Sequence, residues 1–177
     1  MHRIPALLLV GLAMVAAASP ARAETRYLAY DAADRVTRAL TNGVTLEAER
    51  GLLGGMSLRS LSSTTQRGSA RLEAGGPDQV RRALPEGAME SAVYRIVPEG
   101  DGRGLTRALC PGADEAWLVA GRIRLARPLT VQAVGRWADG RFRPCVTLSY
   151  DWRGEWATPP RRGAGDTPDA GSTPLTR

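Results

Sequence analysis

The groups in this chain best equipped for chemistry are guanidinium groups. All 24 basic residues are Arg, no Lys occurs, and the sole histidine is His2. Arg122, Arg124, Arg136 and Arg143 sit in the last third of the chain, interspersed with Thr130, Gln132 and Thr147. A planar guanidinium presents a fork of N–H donors that grips phosphate, carboxylate or sulfate through paired hydrogen bonds. Gathered on one sheet face, these four arginines would form an anion-binding surface. The plainer reading is a solvated face whose cations pair with Asp151, Glu155 or acids elsewhere, as is ordinary on a one-sided sheet.

Two further sets carry chemistry. Asp151, Glu155, Asp114 and Glu115 are candidates for glycoside hydrolysis, which needs two carboxylates and no imidazole. Nothing in their spacing sets a facing pair, and Asp114-Glu115 after Cys110-Pro111-Gly112 reads more simply as a turn. Glu99 and Asp101 lie in a Gly-rich stretch that lacks the ligand ladder of a calcium-binding loop. Trp117, Trp137, Phe142, Tyr150, Trp152 and Trp156 could stack on a sugar or line a cavity. Their alternation favours core packing instead, with Trp152 and Trp156 the most exposed.

Missing atoms exclude much else. His2 falls in a segment that reads as a cleavable secretory signal. His2 and Arg3 give the positive start, and Leu7 to Ala18 is about a dozen residues, short of a spanning helix. Ser19-Pro20 breaks it and Ala21-Arg22-Ala23 is an A-x-A site, which puts cleavage between Ala23 and Glu24. An uncleaved anchor is the alternative. The mature chain then has neither imidazole nor side-chain amine. That removes Ser-His-Asp and Cys-His nucleophile systems, His-ligated zinc and haem, the P-loop lysine and the Schiff-base lysine. No cofactor and no metal site is expected. Losing Arg3 and Arg22 lowers the formal charge from +6 to +4, too mild and dispersed for a nucleic-acid footprint. Arg without Lys beside abundant Ala and Gly reads as codon bias of a GC-rich genome. Cys110 and Cys145, an even count in an exported chain, point to one disulfide, with free thiols as the alternative.

The elements that must position these groups follow from periodicity. Arg26 to Tyr30 suggests a strand, after which Asp31 caps a helix with Ala33, Val36 and Leu40 on one face and Asn42-Gly43 as its stop. Val44, Leu46 and Ala48 alternate into a hairpin that turns through Gly51 to Gly55 toward Met56 and Leu58. Ala70, Leu72 and Ala74 alternate again, Pro77-Asp78 opens a short helix ended by Pro85, and Ser91 to Val97 is another strand. Pro98 to Gly104 reads as a loop. Trp117 to Leu125 forms a strand that sets Arg122 and Arg124 on its polar side, and Ala126 to Leu129 connects it onward. Asp139-Gly140 then makes a two-residue hairpin with Ala138 opposite Arg141. That register pairs Trp137 with Phe142, Gly135 with Pro144, Val134 with Cys145 and Arg136 with Arg143. The even-numbered residues Phe142 to Trp156 share one face of a long strand, with bends admitted at Pro144 and Gly154. Pro144 requires an edge or a bulge beside it.

The fold expected is α+β and β-rich: a mostly antiparallel barrel or sandwich with one or two short helices and a three-strand meander at its end. It occupies residues 24–157 as a single globular domain, between the signal (1–23) and a disordered Pro/Gly-rich tail (158–177). With no transmembrane segment after signal removal, the chain reads as a periplasmic or extracellular bacterial protein. A non-catalytic binding or structural module for an anionic envelope ligand or a protein partner is the leading expectation. A His-independent carboxylate hydrolase of envelope carbohydrate is the alternative.

Overall fold

The computed structural model describes residues 24–51, 55–65, 68–88 and 92–157. The segment read as a secretory signal and the tail read as disordered lie outside the described residues, as does the middle of the Gly51 to Gly55 turn. The strands are β1 (Glu24–Ala32), β2 (Val44–Arg50), β3 (Met56–Ser63), β4 (Ser69–Ala74), β5 (Ala92–Ile96), β6 (Glu115–Ala120), β7 (Leu129–Arg136) and β8 (Phe142–Trp156). The helices are α1 (Arg35–Leu40), α2 (Asp78–Arg82) and α3 (Gly102–Leu109). Each strand pairs antiparallel with the next, and β8 pairs with β1 to close the barrel.

Period-two alternation decides what fills it. Leu28 and Tyr30, Val44, Leu46 and Ala48, Ala70 and Leu72, and Leu118 all belong to one buried cluster. Thr45, Glu47 and Glu49, and Arg71 and Glu73, are the alternate positions and face outward. Small Ala set among Leu and Tyr lets side chains fill a narrow barrel interior. Apolar inside and polar outside over β2 to β4 is the reverse of a membrane-spanning barrel. No helix of the described residues is long and apolar enough to cross a membrane.

The two barrel ends differ. α1, between β1 and β2, and α3, between β5 and β6, lie at one end; Leu105, Leu109 and Cys110 complete the core from there. The β2–β3 and β6–β7 connections lie at the other, the loop end. α2 folds back over the outside of the sheet, where Val80 packs on Val93, Trp117, Val119 and Val134. This second cluster explains why β6 is buried on both faces, whereas a one-sided strand was expected.

Four local expectations are corrected. Asp34 caps α1, because Asp31 is still in β1; its carboxylate accepts from the Thr37 N–H at 2.8 Å. The buried face of α1 carries Thr37, and Val36 is 53% exposed. α3 begins inside the stretch read as a loop. The β7–β8 ladder keeps the expected partners from Leu129↔Tyr150 to Ala133↔Val146, then shifts by one residue to Val134↔Pro144, Gly135↔Arg143 and Arg136↔Phe142. The turn spans Trp137 to Arg141, with Trp137 N–H donating to the Arg141 carbonyl and Gly140 at φ 74°. That longer turn adds a residue, and a bulge at Cys145 beside Pro144 absorbs it.

Candidate functional site

The shift dismantles the expected arginine pair. Arg136 faces outward opposite Phe142, while Arg143 lies opposite Gly135 on the other face. Arg136 donates from Nε to Glu115 at 2.9 Å, and Arg95 reaches the same carboxylate at 2.8 Å. Arg95 also lies 3.7 Å from Glu73, so a ladder of alternating charge crosses β4 to β7. Arg143 pairs with Asp139 and stands over the Trp137 ring, 5.1 Å from its centroid. Trp137 itself lies against Gly135 and Gly112. Phe142 joins the outer cluster, its ring 5.4 Å from Trp117. Trp137 and Phe142 therefore occupy opposite faces, and both expected arginines are already paired.

Arg122 and Arg124 lie elsewhere. β6 ends at Ala120, so both fall in the β6–β7 connection at the loop end, remote from the β7–β8 turn. Gly121 N–H donates to the Thr130 carbonyl at 3.4 Å, and Ile123 tucks against the barrel core. Alternation then turns Arg122 and Arg124 outward, where both are exposed. The chain reverses at Leu125 and Ala126, the latter in the left-handed region at φ 55°. Leu125 is 40% exposed at this tip. Arg127 follows, exposed, with Pro128 leading into β7. None of these three arginines makes an ion pair with another described residue. Arg127 was legible only as part of a connector. Its signal is the run from Ala116 to Ala138, which contains no Asp or Glu.

The carboxylates also separate. Glu115 is held by two guanidinium groups. Glu155 sits 3.1 Å from Arg26, which is kept charged by its hydrogen bond to Glu24 and by Glu155 despite burial. Asp151 is the cross-strand neighbour of Asp31 on the exposed β1–β8 face. Asp114 donates its backbone N–H to the Arg136 carbonyl in the turn before β6. Glu99 and Asp101 line a shallow groove of about 350 Å³ with Ser60, Ser62, Ser69 and Arg71. Asp101 accepts from the Ser69 N–H at 3.3 Å, so the groove joins the β5–α3 loop to β4.

The aromatic residues are mostly core. Tyr30 meets Trp152 edge-on at 5.3 Å and Tyr150 at 6.5 Å inside the barrel. Burial pushes both phenols up to about 12. Trp156 folds over Gly154. Cys110 and Cys145 form a disulfide between the end of α3 and the β8 bulge. Comparisons of this chain with protein-family profiles, with curated proteins and with solved structures give no match.

Proposed function

We propose that this protein is a non-catalytic binding module of the bacterial cell envelope that captures anionic ligands, or an acidic face of a protein partner, on its β6–β7 loop. The observation that supports this is the set Arg122, Arg124 and Arg127: exposed, close in sequence, and in no ion pair among the described residues. Arg136 and Arg143, by contrast, would have to break existing pairs before gripping a ligand. Export to the periplasm or beyond fits the A-x-A signal together with the disulfide, a bond typical of oxidising compartments.

Retention on immobilised heparin, a soluble polyanion, tests the site. The variant R122Q/R124Q/R127Q is expected to elute at distinctly lower salt than the parent, and R136Q/R143Q close to the parent. Equal elution of the triple variant and the parent would remove the loop from the reading. A carboxylate hydrolase of envelope carbohydrate is the second reading, favoured by Glu99 and Asp101 lining one groove. Turnover of envelope glycans that vanishes in both E99Q and D101N would support it.

A further inference from the structure

We infer that the β6–β7 loop docks on anionic lipid bilayers, with Leu125 entering the headgroup region while the flanking arginines hold lipid phosphates; this rests on the anion-binding reading above. Leu125 and Val36 are the exposed large hydrophobics among the described residues, and Val36 belongs to α1 at the opposite end. Leu125 stands at the tip of a long connection, with Arg124 before it and Arg127 two residues after. Ile123, partly buried against the barrel core, anchors the loop, and the left-handed Ala126 makes the reversal that presents the tip.

An apolar tip between guanidinium groups matches the layered chemistry of a membrane surface. Leu gains by leaving water, while Arg stems lie along the apolar boundary and their heads stay at the phosphates. A soluble polyanion would use the three charges and gain nothing from Leu125. The run from Ala116 to Ala138 holds no acid to repel the surface. With one leucine and three arginines the attachment is reversible and salt-sensitive.

The experiment is co-sedimentation of the exported chain with vesicles of phosphatidylcholine alone or mixed with phosphatidylglycerol, alongside heparin retention. Binding is expected to the mixed vesicles and not to phosphatidylcholine. Each arginine replaced by Gln should weaken it about fivefold. L125S should weaken vesicle binding about three- to tenfold and leave heparin retention unchanged. Parent protein that binds heparin but not mixed vesicles, or L125S that sediments like the parent, overturns lipid docking and leaves the anion reading standing. A triple Arg variant that keeps full heparin retention overturns both. Matching circular dichroism of each variant and the parent establishes that the fold is intact.

Discussion

Thr37 is wholly buried yet has every polar group matched. Its N–H and hydroxyl donate to the Asp34 carboxylate at 2.8 and 2.9 Å, and the hydroxyl oxygen accepts the Ser149 N–H at 2.9 Å. One turn on, the Thr41 hydroxyl reaches the Thr37 carbonyl at 3.1 Å and Tyr150 Oη at 3.0 Å. Thr41 has one proton to give, so Tyr150 donates to it. These bonds fasten α1 to β8. Replacing Thr37 by Val keeps the shape but strands the Ser149 N–H, and should cost about 1–3 kcal/mol in a urea titration. The hydrogen bonds from Thr37 hold the Asp34 carboxyl below its ordinary range. A lowered acid pKa favours folding above the unfolded value and loses that contribution as pH falls through the folded one. The protection factor of the Thr37 amide, its exchange rate taken relative to the intrinsic rate at each pH, should therefore fall on acidification. Sequence reading did not single out Thr37, because hydrophobic periodicity says nothing of a threonine whose bonds close internally. Gly102 was equally opaque. A Cβ there would stand 1.7 Å from the Val97 carbonyl oxygen. Ala normally improves a helix by about 1 kcal/mol over Gly. Here the clash is with backbone, so G102A should instead destabilise, by about 1–3 kcal/mol.

At the level of elements, legibility followed periodicity. β2 and β4 alternate cleanly, and the structure has them, together with β5, where they were expected. α3 was hidden because Gly102 and Gly104 are poor helix formers, and its case rests on Leu105, Thr106 and Leu109 being buried by the barrel end. The β7–β8 ladder was legible for the half that tolerates no slip. The turn type was not, since Asp-Gly suits both a two-residue turn and a longer one ending on a left-handed Gly. That single ambiguity moved Arg136 and Arg143 to opposite faces and dissolved half of the candidate site. The β6–β7 loop makes its own prediction. Ala126 holds a conformation that costs a non-glycine residue about 1–2 kcal/mol. A126G should raise the unfolding midpoint, with a gain of about 0.5–1 kcal/mol after the unfolded chain's extra freedom is subtracted.

For the whole molecule, seven of the strand pairings join neighbours in the chain, and one, β1 with β8, closes the ring. Neighbour pairing is what local pattern reveals; closure depends on strands at the two extremes of the domain. That is why barrel and sandwich were indistinguishable from sequence. Global stability carries two signatures. Tyr30 and Tyr150 ionise near pH 12 when folded, against about 10 when exposed. A raised acid pKa leaves stability intact below the unfolded value and drains it as pH climbs toward the folded one. Unfolding monitored by circular dichroism should therefore set in between about pH 10 and 12, with phenolate absorbance appearing in the same step. The disulfide spans 35 residues, and removing it through C110A/C145A should cost about 4 kcal/mol in the chain-entropy account.

The bulge at Cys145 has a consequence for how the chain matures. Without the extra residue, Cys145 would sit opposite Val134 and point toward the α2 cluster, away from the interior where Cys110 waits. A misaligned hairpin would leave both thiols unjoined and open to alkylation. Closing the cross-link thus requires strands that have already met in the bulged alignment.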